Sequence, residues 1–108
     1  MAYDEALASR LRRALGSISA DEKHMFGGLA IMVRGHLACG IVGEHLMIRV
    51  GPQNYEGALK MKHARPMTFT GKPMKGMIYV EPEGCKTPAK TAAWLKLALV
   101  FNATLPAK

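Results

Sequence analysis

Three apolar runs, 29–33, 37–42 and 46–50, follow one another with only Arg34-Gly35 and Gly43-Glu44 as connections between them. Pairs containing glycine suit the tight turns of antiparallel hairpins, so the spacing predicts a meander. The first run, Leu29-Ala30-Ile31-Met32-Val33, is apolar throughout, as a central strand covered on both faces requires. In the third, Leu46, Ile48 and Val50 alternate with Met47 and Arg49, which is the period of a strand with two unlike faces.

Around this meander the sequence predicts helices. Leu7, Leu11 and Leu15 recur every four residues, with Tyr3 one turn earlier and Arg10, Arg12 and Arg13 on the other side, giving a helix over 4–15 that Gly16 ends. Met25 and Phe26 are read as a short first strand. Gly51-Pro52 closes the fourth strand, and Pro52 opens a short helix running through Tyr55, Ala58 and Leu59. The segment 62–76 contains Pro66, Gly71, Pro73 and Gly76 and reads as an ordered loop with short extended pieces, followed by a last strand at 77–80. Thr87 can cap and Pro88 can open a final helix over 88–104. Trp94, Leu97, Ala98 and Phe101 lie on one side of it and Leu95 and Leu99 on another, an apolar arc wider than one packed face needs. The expectation is one α+β domain over 1–108, an antiparallel β-sheet of about five strands with an N-terminal helix, a short inserted helix and a C-terminal helix packed on it.

Charge is uneven. Residues 1–56 balance six cations with six carboxylates, whereas 57–108 carry nine cations and two carboxylates. Lys60, Lys62, Arg65, Lys72 and Lys75 fall between Glu56 and Glu81 with no carboxylate among them. With His63 and Phe69 nearby, this segment is the candidate anion or nucleic-acid surface, expected to bind polyanions weakly and with strong salt dependence. Helix-turn-helix and RNP patterns are lacking, so sequence-specific reading is not expected.

Other motifs read as structure. Phe26-Gly27-Gly28 lacks the spacing and the terminal Lys-Ser/Thr of a P-loop and precedes a strand, so it is assigned to a turn or bulge. Gly40 is assigned to a close approach between neighbours, and Phe26 and Trp94 to the core. Met25, Met32, Met47 and Met77 are read as core filler, and Met61, Met67 and Met74 as pins of the 62–76 loop. His36 and Cys39 point to opposite faces of a strand unless a bulge intervenes, and no further ligand cluster supports a metal. Cys39 reads as a small buried hydrophobe. With no nucleophile elbow around Ser9, Ser17 or Ser19, no catalytic residue, metal or cofactor is expected. A distant alternative is an enzyme using Arg49, Arg65 and His63 on a small anionic substrate. Two reduced cysteines, acidic Asp4 and Glu5 where a leader would be basic, and no apolar run of ~20 residues lead to the expectation of a cytoplasmic protein without membrane contact.

One group of segments resembles a known family. Lys23 to Gly28, Ala38-Cys39-Gly40, Arg49-Val50-Gly51, Ala64-Arg65-Pro66-Met67, and Phe69-Thr70-Gly71-Lys72-Pro73-Met74-Lys75-Gly76 through Tyr79-Val80 together are similar to stand-alone members of the TfoX N-terminal domain family. The resemblance implies an antiparallel sheet with helices packed on it. In two-domain TfoX regulators the same fold precedes a helical domain, and the whole acts in natural competence. Met77 and Cys85 stand where the family often has aromatics, which weakens a stacking surface. The resemblance supplies no catalytic residues. With the readings above, it leads to the expectation of a small non-enzymatic regulatory or adaptor domain that acts by binding another macromolecule, with an unknown protein partner; the wide apolar arc of the last helix separately leads to the expectation of a homodimer, and the basic 60–75 region to direct nucleic-acid binding as the alternative.

Overall fold

The computed structural model describes residues 3–25, 27–69 and 72–106. In chain order these form α1 (Glu5–Leu15), β1 (Asp21–Met25), β2 (Gly28–Val33), β3 (His36–Val42), β4 (His45–Arg49), α2 (Tyr55–Leu59), β5 (Ala64–Phe69), β6 (Lys72–Val80), a 3₁₀ turn at Pro82–Gly84 and α3 (Pro88–Asn102). The strands make one six-stranded antiparallel sheet in the order β1-β2-β3-β4-β6-β5. The α+β class and the three helices agree with the sequence reading, and the sheet has one strand more.

Local chemistry explains the meander. Val33 pairs with His36 and Val42 with His45, so each hairpin turns on two residues, and Arg34, Gly35 and Gly43 adopt the positive φ that such turns demand. Gly28 and Gly40 sit where strands press together. A Cβ at Gly28 would collide with the Ile41 carbonyl, and one at Gly40 would meet the Leu29 carbonyl and lie 2.7 Å from Met47 Cε.

All three helices cover one face of the sheet. Leu7, Leu11 and Leu15 of α1, Ala58 of α2, and Trp94, Leu95 and Ala98 of α3 share a core with Leu29, Ile31, Ile41, Leu46, Ile48, Ile78 and Val80. Met47 and Met77 form a smaller cluster on the opposite face with Leu37 and Tyr79, as the alternation along β4 foretold. Asp4 caps α1 by accepting from the amides of Ala6 and Leu7. Thr87 caps α3 through the Lys90 amide.

Two segments differ from expectation. The first strand begins at Asp21 rather than Met25 because it is an edge strand of exposed polar residues, paired only with β2, and such a strand shows no apolar period. Within 62–76 the expected loop is instead an antiparallel pair, β5 and the first half of β6. Its prolines are tolerated because neither occupies a fully paired central position. Pro66 lies on the edge strand β5, and Pro73 precedes Met77–Val80, the part of β6 that pairs with β4. The final helix also ends at Asn102, before a turn through Ala103 and Thr104.

Candidate functional site: a groove between α2 and α3, and a basic ribbon

The chain leaves β4 through Val50 and Gly51, whose amides both donate to the Gly76 carbonyl at 2.8 and 3.1 Å. The Asn54 side-chain amide then donates back to the Val50 carbonyl at 3.2 Å, fixing the entry to α2. Because α2 buries only Ala58, its other side stands clear of the core. Gly57 contributes no side chain there, and a Cβ at that position would meet open space. The result is an apolar groove between the 50–61 segment and α3.

Two adjoining hollows of about 360 and 330 Å³ make up this groove. Gln53, Asn54 and Val100 line both; Gly57, Met61 and Leu97 line the first, and Phe101 and Thr104 the second. Met61, Leu97 and Val100 are 46, 36 and 57 % exposed, three of the four large exposed hydrophobics among the described residues. Met61 therefore does not pin a loop as the sequence suggested. Its side chain lines the first hollow and is nearly half exposed. At the far end the Phe101 ring packs against Gly51, with the Arg49 guanidinium 5.4 Å from the ring centroid.

The basic candidates are dispersed. Lys60 and Lys62 are exposed at the end of α2. His63 and Arg65 both approach Glu81, at 3.7 Å from Nδ1 and 3.3 Å from Nε, so the carboxylate that bounds the segment in sequence folds back onto one of its cations and onto its histidine. The Glu81 amide also donates to the His63 carbonyl at 2.9 Å. Lys72 lies in β6 opposite Phe69, seven residues before Tyr79, the partner of Arg65. That separation is on the order of 20 Å along the ribbon. The side chains of Met67, Phe69, Lys72, Met74 and Lys75 lie outside the described residues, as does Phe26. Arg49 is not gathered with Arg65 and His63. Its Nη1 donates to the Leu37 carbonyl at 3.4 Å beside Phe101.

Trp94 is buried, and its indole N–H donates to the Gly84 carbonyl at 3.0 Å. Nearby, the Cys85 carbonyl accepts from the Thr91 hydroxyl at 3.0 Å and from Arg10 Nε at 3.2 Å, locking the 3₁₀ turn to α3 and α1. A bulge at Ala38 does intervene between His36 and Cys39. Even so, Cys39 is fully buried in the helical core, where burial pushes its thiol up to about 12, while His36 Nε2 lies 2.6 Å from the Pro106 carbonyl. Burial raises the Cys85 thiol as well. Among the described residues no three or more His, Cys, Asp or Glu side chains are grouped to hold a metal, and no helix is long and apolar enough to cross a membrane.

The model of the TfoX N-terminal domain matches residues 10–101. The chain belongs to the TfoX N-terminal domain family. That match spans all six strands of this TfoX domain, the groove lining except Thr104, and nearly all of α3. Comparison with curated proteins and with solved structures brings out no match.

The structure also changes the premise of the expected homodimer. Leu95 is buried and Leu99 packs half-buried against the core beside α1, so these leucines of the wide apolar arc are satisfied within the chain. The large apolar residues that α3 leaves uncovered, Leu97 and Val100, lie on the side toward the groove. Sequence periodicity could not reveal that side, because α2 is too short to show its own period.

Proposed function

We propose that this TfoX domain is a regulatory adaptor that works by holding another protein in the groove between α2 and α3. One observation carries the reading: Met61, in the turn after α2, and Leu97 and Val100 of α3, all exposed large hydrophobics, are gathered on a single groove. Isolated surface hydrophobics are ordinary, but a grouping around a hollow is the form an anchor site takes. Membership of the family supports a regulatory setting. The test is affinity purification from the native cell under nuclease treatment, comparing the wild-type chain with Val100→Glu. A protein retained by the first and lost from the second is the expected result. Retention that is indifferent to Val100→Glu overturns the reading.

A second reading, nucleic-acid binding through Lys60, Lys62 and the β5–β6 ribbon, is favoured by the exposure of Lys60 and Lys62. The pairing of Arg65 with Glu81 lowers the field available to phosphates. Retention that nuclease abolishes, and that Lys60→Gln with Lys62→Gln weakens, would favour this reading over the groove.

A further inference from the structure

We propose that the occupant of the groove is an acidic amphipathic helical segment of a partner protein. This rests on the reading of the groove as the working surface and adds the chemistry of what fills it. The floor supplies the apolar half of the argument. Two hollows that share Gln53, Asn54 and Val100 form an elongated trough, and a helix presents side chains at i, i+3 or i+4 and i+7 to such a surface.

Charge at the rim supplies the other half. Helix α3 contains Lys90 and Lys96 and no carboxylate along Pro88–Asn102. Lys96 lies one turn before Val100, whereas the Lys90 ammonium, two turns before Leu97, donates to the Glu83 carbonyl at 3.4 Å, so Lys96 is the charge that α3 sets beside the groove. On the opposite wall, Lys60 falls between the lining residues Ala58 and Met61 and follows Gly57 by three positions. Glu56 is the carboxylate of α2, and helical spacing sets it well away from Ala58, which lines the groove two positions on; Met61 follows after the helix has ended. Lys60 and Lys96 are exposed, and among the described residues neither has a carboxylate within ion-pair distance. An apolar trough between lysines of one sign rewards a ligand with an apolar stripe flanked by carboxylates.

The same charges weigh against the other occupants. A second copy docked by this face across a two-fold axis would bring Lys60 and Lys96 of one copy toward the lysines of the other. A nucleic acid would gain from the lysines and not from the apolar floor, where Phe101 is already engaged by Gly51 and Arg49.

The test selects ligands without assuming a sequence. A display library of random peptides of about 15 residues, enough for four helical turns, is selected on the wild-type chain and counter-selected on Val100→Glu. Val100 is exposed, so this variant keeps its fold, and an unchanged melting temperature verifies that. Peptides dependent on Val100 are expected to carry apolar residues at three- and four-residue spacing and net negative charge. Replacing the carboxylates of a selected peptide by amides should weaken it by about tenfold at low salt, and Lys60→Glu with Lys96→Glu should do the same. Neutral or basic groove-dependent peptides overturn the acidic preference, and so does a selection that yields none. A wild-type dimer in sedimentation that Val100→Glu dissociates makes the occupant a second copy and also overturns it. If cellular retention depends on Val100 while the selected peptides are neutral, only the chemistry of the occupant fails; if neither depends on Val100, the groove itself fails.

Discussion

The two sides of α3 are both apolar, and the chain treats them differently. Inward, Thr91, Trp94, Leu95, Ala98 and Asn102 are buried against the sheet and α1, and their polar atoms have partners. Outward, Leu97 and Val100 meet a short helix that leaves a trough. Apolar character alone does not separate a side needed for folding from a side available for binding. The distinction lies in whether another element of the same chain fills the facing space.

Substitutions on the inward side should be costly, and Trp94→Ala most of all. It empties a buried indole site and leaves the Gly84 carbonyl without its donor, so a loss of roughly 3–5 kcal/mol is expected in chemical denaturation. A loss below about 1 kcal/mol would break the comparison by making the inward side dispensable.

Asn102→Ala ranks second. The Asn102 amide donates to the Val33 carbonyl at 2.9 Å from a buried position, while Arg34 Nη1 donates to the Asn102 carbonyl at 3.0 Å, so the two bonds clamp the end of α3 to the β2–β3 turn. Loss of the side chain strands a buried acceptor, for about 1–3 kcal/mol. Denaturant titration of the variant measures it, and a neutral result would show that the clamp rests on Arg34 alone.

A smaller effect tests how α1 is held to the edge of the sheet. Arg12 donates to Glu22 through Nε at 2.7 Å and Nη2 at 2.8 Å, tying α1 to edge strand β1. The hydrogen bonds from Arg12 lower the Glu22 carboxyl below its ordinary value. A carboxyl lowered on folding contributes stability above its unfolded-state pKa, and that contribution is lost as pH falls through the folded-state value. Both side chains are more than a third exposed, so Glu22→Gln should cost no more than about 1 kcal/mol at neutral pH. Melting curves of the two proteins should converge in acid. A difference that persists there would assign the effect to packing rather than charge.

Val100→Glu should have the smallest effect on stability, within about 0.5 kcal/mol, because the side chain is more than half exposed. Thermal melting checks this. A large loss would mean that the outward side belongs to the core after all.

How much of this was legible in the sequence follows from physical reach. The meander was readable because Arg34-Gly35 and Gly43-Glu44 fix register locally, within two residues. Strand β1 was not, since its edge position leaves Asp21 to His24 polar and exposed. The β5–β6 pair was hidden by Pro66 and Pro73, which count against strands except where a sheet edge excuses them. The basic segment was legible as composition and misleading as geometry. Sequence order separates Glu81 from His63 and Arg65, and antiparallel pairing brings them together. Met61 gave no sign of its exposure, because a methionine reads the same in a core and beside a groove.

Site-specific photo-crosslinking in the native cell tests the central claim most directly. A photoreactive amino acid is placed at Val100, on the groove, and in a second chain at Arg13, exposed on α1 away from it. The account predicts a discrete, nuclease-insensitive adduct of this chain with one different protein from position 100 and none from position 13. Adducts of equal strength from both positions, or an adduct at 100 consisting of two copies of this chain, would contradict it.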